Sequence, residues 1–348
     1  MSKQYDKYKF PYKWNLKDGY PAKGIEQHNS KVFGTFICGG GSSMGYKLAG
    51  YEHLGGVEID PKVADVYKAN HNPKHLYVED IRAFNKRENL PKELYHLDLL
   101  DGSPPCSSFS MAGNREKDWG KKKVFREGQA HQVLDDLVFE YIKTIKKLKP
   151  KVALLENVKG LIQGNARAYT KKIFKQFKAA GYSVQLFLLN AASMGVPQKR
   201  ERVFFIGLRN DFDLPKLALR FNEKPVVFGE IKNQAAPTKT LTSIYYKYWK
   251  KAKQGESVGK FKTCKKMNDK CVSFTLTTGS PYYHSTIPRG LNTREYCLIG
   301  TYPIDYNFKS LKSQYLIGMS VPPLMTAQIS HQIYLQWLSK TTTTKTTK

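Results

Sequence analysis

Cys106 is the residue of this sequence with the clearest potential for covalent chemistry. It lies in the run Asp-Gly-Ser-Pro-Pro-Cys-Ser-Ser-Phe-Ser at residues 101–110, directly after the short apolar run at 95–100. Such a run predicts a buried strand that ends in a turn, and two consecutive prolines stiffen the loop that follows. A cysteine at the carboxyl end of a strand is well placed to act as a nucleophile, although a small buried thiol is the alternative for this loop alone.

A glycine-rich turn at residues 39–45 could hold a cofactor. It follows the apolar run 31–38 and precedes a helical stretch, so its backbone can approach a ligand closely at the start of a helix. Glu58 ends a second predicted strand, where it can accept hydrogen bonds from ribose hydroxyls, and Asp80 follows a third strand and suits an adenine amino group. Both dinucleotides and S-adenosylmethionine are bound in this way. The pocket offers no extra basic contacts for a pyrophosphate, which favours S-adenosylmethionine.

The elements that must position these residues alternate between strands and helices. Apolar runs at 31–38, 54–60, 76–78 and 152–155 predict strands, and spaced apolar residues predict a helix over 131–148. This alternation predicts an α/β fold with a parallel, doubly wound sheet.

The composition divides the chain into five segments. The segments are an N-terminal basic and aromatic extension at 1–30, an α/β catalytic domain at 31–210, a small domain at 211–287, a return to the α/β domain at 288–339, and a disordered tail at 340–348. In the small domain, basic and aromatic residues alternate, which suits contact with a phosphate backbone and bases. Its tyrosines could equally form the domain's own core.

The charge of the chain indicates a polyanionic partner. Lys and Arg number 57 against 29 Asp and Glu, which leaves a formal charge of +28. Heavy general use of lysine is the alternative explanation. The five cysteines form no CxxC pair, so neither a disulfide framework nor a metal site is expected. This cysteine usage favours a reducing, intracellular setting. We also expect neither a membrane span nor a secretory signal.

Six motifs resemble those of the cytosine-5 DNA methyltransferase family of prokaryotic or phage type, in the same order. The resemblance extends from about Val32 to His331, and six motifs in order are far more specific than any one of them. The motifs are Phe36-x-x-Gly39-Gly40-Gly41-x-x-x-Gly45, Glu58 with Asp60, Ser103-Pro104-Pro105-Cys106-x-x-Phe109-Ser110, Glu156-Asn157-Val158, Gln198-Lys199-Arg200-Glu201-Arg202, and Ile317-Gly318-Met319-Ser320-Val321-Pro322-Pro323.

The resemblance implies a role for each of four catalytic residues. Cys106 would add to C6 of a cytosine that has been turned out of the duplex, which makes C5 nucleophilic enough to accept a methyl group. Glu156 would hold N3 and the exocyclic amine of that base. Arg202 would bind O2 and orient the cysteine, and Arg200 would support the loop or a phosphate; general attraction to the DNA backbone is the alternative for both arginines.

The family's fold is an S-adenosylmethionine-dependent, Rossmann-like domain with a small target-recognition domain, here expected at 211–287. The loop at 111–129 would close over the flipped base, unless it is an ordinary surface loop. We expect double-stranded DNA as partner, a monomer, no membrane association, and the cytoplasm of a bacterial or phage-infected cell. The residues implied in cofactor binding are Phe36, Gly39, Gly40, Gly41, Glu58, Ile59, Asp80, Ile81, Pro105, Ser320 and Val321.

Three residues depart from the family pattern, and three other functions stay open. Cys38 stands where glycine is usual, Ser107 where glutamine is common, and Met319 where asparagine is usual. Because none of them replaces the cysteine, the glutamate or the arginines, we expect altered tuning rather than inactivity. The alternatives are an RNA cytosine-5 methyltransferase, a catalytically weak DNA-binding relative, and a dinucleotide oxidoreductase.

Overall fold

A seven-stranded sheet forms the centre of the computed structural model, which describes residues 10–105, 136–163, 166–234 and 241–341. The strands are β1 Lys31–Thr35, β2 Glu52–Glu58, β3 His75–Val78, β4 Leu99–Gly102, β5 Val152–Val158, β6 Tyr182–Asn190 and β7 Glu201–Arg209. They lie in the order β3-β2-β1-β4-β5-β7-β6. The strand order reverses between β1 and β4, which is where open α/β sheets bind their ligands.

β7 is the strand whose direction differs from the expected parallel sheet. It pairs antiparallel with both β5 and β6, whereas β3, β2, β1, β4 and β5 pair in parallel. The connection between Asn190 and Glu201 is too short for a parallel crossover, which needs a dozen or more residues. The sheet is therefore mixed, and the amino end of β7 lies at the edge where the parallel strands end.

Helices cover both faces of the sheet. α1, α2, α8, α9 and α10 pack on one face, and α3, α4 and α5 pack on the other. Neighbouring residues of each strand alternate between these layers: Leu99 contributes to the first core and Leu100 to the second. Within the described ranges, no helix has the length and apolarity needed to cross a membrane. The helices are α1 Gly41–Leu48, α2 Pro61–His71, α3 Ile81–Lys86, α4 Leu137–Leu148, α5 Arg167–Ala179, α6 Phe228–Ile231, α7 Ser243–Lys251, α8 Thr293–Gly300, α9 Ser313–Met319, α10 Pro323–Ile333 and α11 Ser339–Thr341.

Several element boundaries differ from their predictions: β1 ends at Thr35, β2 extends over Glu52–Glu58, and β5 continues to Val158. The helix predicted over 131–148 is α4, which begins at Leu137, and residues 131–135 lie outside the described residues. The strand predicted at 95–100 is β4, which begins only at Leu99 because a 3-10 turn occupies Lys92–Tyr95. At the other end of the chain, α11 extends two residues into the predicted tail.

The described residues between 211 and 287 form few regular elements. Besides α6 and α7 they contain the paired strands β8 Lys265–Lys266 and β9 Tyr282–Tyr283. Val258, Cys264 and Tyr283 form a small separate core, whereas other apolar side chains of this region join the main core of the sheet. The division of the chain at residues 211 and 287 stays a prediction.

The N-terminal segment packs into the main core from Phe10 onward. Phe10 and Trp14 are buried there, and the Trp14 indole donates a hydrogen bond to the Thr301 carbonyl at 2.9 Å. Asp305 accepts hydrogen bonds from the backbone amides of Leu16 and Lys17. The described part of the predicted extension is therefore an integral part of the fold.

Candidate active site

Glu156 and Arg202 form an ion pair at the edge where the parallel strands end. Arg202 Nε lies 3.0 Å from Glu156 Oε1, and both side chains are largely buried. Glu156 comes from β5, and the register of the sheet places Val158 opposite Arg202 on β7. Because β7 runs antiparallel, its first residues reach the same edge as the last residues of β5. The structure thus brings together two of the four predicted catalytic residues.

The environment of Glu156 makes its carboxyl group a weaker acid than a free glutamate. Burial raises the pKa of Glu156, while Arg202, Arg200 and a hydrogen bond from Ser103 favour the ionised form and only partly offset this effect. Burial also lowers the pKa of Arg202, and the glutamate opposes that shift. A carboxyl group whose pKa is raised and which an arginine holds in place is suited to general acid–base catalysis.

Asn157 connects this pair to the start of the predicted nucleophile loop. Its Nδ2 donates a hydrogen bond to the Pro104 carbonyl at 3.2 Å, and its Oδ1 accepts one from the Val158 amide. Pro105 is half-buried at the end of this described stretch. Cys106 and Ser107, together with the loop at 111–129, lie outside the described residues, so the role predicted for Cys106 stays a prediction.

Arg200 is buried in the protein. One of its terminal nitrogens donates to the Leu276 carbonyl at 3.1 Å, and the other donates to the Gly318 carbonyl at 3.0 Å. Burial lowers the pKa of Arg200 to about 9, which still leaves it charged at neutral pH. Only 2% of the residue is exposed, and its two carbonyl partners belong to the region of Leu276 and to the closing motif, so the role predicted for Arg200 stays a prediction.

Glu58 fastens the predicted cofactor loop to the end of β2. Its carboxylate accepts hydrogen bonds from the backbone amides of Cys38 and Asp60, each at 2.9 Å. Asp60 in turn caps α2 by accepting from the amides of Lys62 and Val63. The carboxylate of Glu58 is therefore held at the carboxyl end of its strand, where the sequence predicts a ribose contact.

Close packing requires glycine at two positions of the loop. Gly40 has a φ of +77°, and a Cβ atom there would lie 2.1 Å from His71 Nε2. A Cβ on Gly41 would lie 2.3 Å from the Val321 carbonyl oxygen, because the closing motif packs directly on the first turn of α1. Val321 and Ser320 are both buried, and the Tyr302 hydroxyl donates to Ser320 Oγ at 2.7 Å.

The remaining cofactor candidates occupy distinct environments. Ile59 is 37% exposed at the end of β2, where an apolar side chain can face a ligand ring. Asp80 caps α3 and pairs with Arg82, and Ile81 is buried in the core beneath that helix. Phe36, like Cys38, has a positive φ, at 58°. No group of three or more candidate metal ligands occurs in the described part of the chain.

Comparison with known families identifies the chain. The family model of C-5 cytosine-specific DNA methylases matches residues 31–268. The chain belongs to this family. Membership confirms the predicted family.

Curated relatives of the DNA methylase resemble it over different lengths. The Type II methyltransferase M.FnuDI of Fusobacterium nucleatum is 37% identical over 185 residues, which cover 53% of this chain and 48% of the relative. The match thus spans about half of that relative's length. The Type II methyltransferase M1.HphI of Haemophilus parahaemolyticus is 28% identical over 326 residues, which cover 86% of this chain and 85% of the relative.

A solved structure confirms the predicted fold class. A prophage-encoded candidate DNA modification methyltransferase from E. coli superposes with a TM-score of 0.72 and 19% identity, covering 88% of this chain and 99% of that one. At this identity the likeness shows the fold alone. The fold is the doubly wound α/β domain that the alternation of strands and helices predicts.

The backbone conformation at Cys38 suits glycine better than the cysteine that this chain has. Cys38 has a φ of +48°, a left-handed conformation that costs a residue with a Cβ about 1–2 kcal/mol relative to glycine. The contact between its thiol and Ser320 Oγ is long, at 3.9 Å. Cys38 therefore occupies a site whose geometry suits the glycine that is usual in the family.

We expect Cys38→Gly to stabilise the protein by up to about 1 kcal/mol, because it relieves this conformational cost. The free energy of unfolding in urea measures the effect. Gly40→Ala is the matched control and should destabilise the protein, since its Cβ would meet His71. A loss of stability in Cys38→Gly would show that the thiol contributes more than the backbone costs.

Two tyrosines that hold the cofactor loop were missed by the sequence analysis. The Tyr306 hydroxyl donates to the Gly39 carbonyl at 2.6 Å, and Tyr302 holds Ser320 as described. Neither belongs to a recognised motif, and Tyr306 is 267 residues from its partner. Only the folded chain brings them together, so no local pattern could have revealed them.

Proposed function

We propose that this methylase transfers a methyl group from S-adenosylmethionine to C5 of a cytosine flipped out of a short duplex DNA sequence, by way of a transient bond between Cys106 and C6. The carrying observation is the buried Glu156–Arg202 pair, placed beside the start of the nucleophile loop. The bacterial and phage origin of its relatives supports a site of action in a bacterial or phage-infected cell.

The chain's own residues supply the activation of the base. The Cys106 thiolate adds to C6, and Glu156 donates a proton to N3 as electron density moves from the C5–C6 double bond into the ring. Arg202 keeps the Glu156 carboxyl in position and binds O2. C5 then takes the methyl group and N3 returns its proton to Glu156. The C5 proton passes to water, and elimination of the Cys106 sulfur restores the C5–C6 double bond and the thiolate.

The residues of the cofactor loop fit S-adenosylmethionine, which supplies an electrophilic methyl group when bound. Glu58 presents a fixed carboxylate to ribose hydroxyls, and the exposed Ile59 beside it can cover an adenine face. Gly40 and Gly41 bring backbone against the closing motif with no room for a side chain. A helix of eight residues, α1, starts directly after this turn.

The surface of α7 supports binding to duplex DNA. None of its residues is buried, and Ile244, Tyr245 and Tyr246 are 55%, 40% and 44% exposed. The helix is anchored by Trp249, whose indole donates to the His284 carbonyl at 2.9 Å. Exposed aromatic groups between cations suit contacts to phosphates and bases. Residues 241–265 contain a single acid, Glu256, and the lysines Lys247, Lys250, Lys251, Lys253, Lys260, Lys262 and Lys265.

We expect the double substitution Lys247→Gln with Lys251→Gln to weaken duplex binding and to lower the slope of log affinity against log salt by about 2. The two lysines lie four residues apart on one exposed face of α7. Binding is measured by fluorescence anisotropy at several salt concentrations. Lys68→Gln on α2 is the control. An equal loss of duplex affinity in that variant would show that binding depends on the overall charge of the chain and not on α7.

Covalent trapping tests the proposed function. A duplex that carries 5-fluorocytosine in many sequence contexts should form an irreversible adduct with the protein in the presence of S-adenosylmethionine, because fluorine cannot leave C5 as the proton does. Cys106→Ser should abolish the adduct while binding of the cofactor persists. No adduct from a folded protein with bound cofactor would contradict the proposal. Preferential trapping of a 5-fluorocytosine transfer RNA would support the RNA alternative instead.

A further inference from the structure

Asp101 is a buried carboxyl group that the proposed chemistry does not use. It lies near the end of β4, only 4% exposed, and the sheet register places it between Gly34 of β1 and Leu154 of β5. In the sequence, Asp101 and Gly102 predict only a turn at the end of a strand. A lone acid in the centre of a sheet normally costs stability, so its presence needs an explanation.

The described neighbours of Asp101 supply no positive charge to balance it. The Tyr46 hydroxyl of α1 donates a hydrogen bond to Oδ1 at 3.1 Å, and Ser42 and the Gly102 amide also bond to the carboxyl. The ionisable groups that face it are Tyr46, Tyr67 of α2, Tyr141 of α4 and Glu156 of β5. Among the described residues, no lysine, arginine or histidine forms an ion pair with Asp101.

The location of Asp101 connects it to the cofactor site. It lies where the strand order reverses between β1 and β4, which is the crevice in which such sheets bind ligands. The side chain points to the layer of α1, whose first turn follows the glycine loop and includes Ser42. A positively charged ligand in that crevice would supply the missing counter-charge.

We propose that the Asp101 carboxylate is the electrostatic partner of the positively charged S-adenosylmethionine. This inference rests on the proposed function. The cofactor carries two positively charged groups, a sulfonium and an ammonium, and one negatively charged carboxylate. In methyl transfer the sulfur keeps the electron pair of the broken bond, so the product is a thioether without the sulfonium charge. Asp101 would thus hold the methyl donor more tightly than the spent product.

The ionisation of Asp101 makes the effect dependent on pH. Burial, with a smaller contribution from the neighbouring Glu156, raises the pKa of Asp101 to about 7, although the hydrogen bonds from Tyr46, Ser42 and Gly102 favour the ionised form. The preference for donor over product should therefore grow as the pH rises through this range. A nearby cation would itself promote ionisation of the carboxyl.

The test compares binding of S-adenosylmethionine and S-adenosylhomocysteine by isothermal titration calorimetry in wild type and Asp101→Asn. We expect the variant to lose about tenfold in its preference for the methyl donor at pH 8, with affinity for S-adenosylhomocysteine changed by less than about threefold. Since both proteins are measured at one pH, titration of the ligands cancels. An unchanged preference, or equal losses for both ligands, would overturn the proposal and indicate a purely structural role.

Tyr46→Phe provides a second route should Asp101→Asn fail to fold. Removal of the hydroxyl disfavours the ionised carboxyl, so this variant should lose preference for the donor at pH 7 and regain it at pH 8.5. A preference equal to that of wild type at both values would overturn the proposal. If wild type bound neither ligand, the proposed function itself would fail, which separates the two outcomes.

Discussion

Glu156→Gln should lower the rate of methyl transfer to duplex DNA by about two to four orders of magnitude. Glutamine keeps the shape and can still accept from Arg202, but it cannot deliver a proton to N3. Tritium transfer from labelled S-adenosylmethionine measures the rate. Glu201→Gln is the matched control, because Glu201 is the neighbour of Arg202 in the sequence but pairs with Lys159 at the surface. If Glu156→Gln retained wild-type turnover, Glu156 could not be the proton donor.

The pH dependence of stability separates this loss from unfolding. Because burial raises the pKa of Glu156, the folded protein keeps the proton to a higher pH than the unfolded chain does. Stability from this group is therefore lost as the pH rises above the unfolded value toward the folded one. Relative to wild type, Glu156→Gln should gain thermal stability as the pH rises above the ordinary glutamate value of about 4.5, even as its activity disappears.

Arg200→Met should lower the free energy of unfolding by about 2–5 kcal/mol, because it leaves the buried carbonyls of Leu276 and Gly318 without donors. Denaturation in urea measures the loss. The same variant should trap 5-fluorocytosine DNA poorly, since Arg200 ties the end of the small domain to the closing motif.

Arg200→Lys is the control for this prediction. Lysine keeps the charge, but its single ammonium group lacks the planar fork of the guanidinium and cannot reach both carbonyls. We therefore expect an intermediate loss of stability. A contact with phosphate would give a different result. In that case Arg200→Met would weaken DNA binding at full stability, and Arg200→Lys would bind DNA nearly as well as wild type.

The sequence was informative where function depends on local order along the chain. The glycine turn, Glu58 at the end of its strand and the Glu-Asn-Val run could all be located from residue types and strand ends. The family resemblance implied that Glu156 and Arg202 act on the same base, but their pairing is visible only in the structure. It depends on the reversed direction of β7, and no periodicity in the sequence indicates strand direction.

Contacts between distant segments could not be predicted in this way. Tyr306 and Gly39 are joined by one hydrogen bond, and Trp14 is buried by residues near the other end of the chain. Asp101 shows a further difficulty, because Asp-Gly is also an ordinary turn sequence. Its burial without a cation becomes visible only when the neighbouring strands and helices are in place.

The burial of Trp14 has a consequence for biosynthesis. Its hydrogen-bond partner Thr301 follows 287 residues later, and Asp305 completes the attachment of the same segment. Trp14 is translated long before the residues that bury it, so this part of the core can close only after residues 301–305 have been made. Docking of the segment should therefore be a late step of folding, because its contacts join residues that are far apart in the sequence.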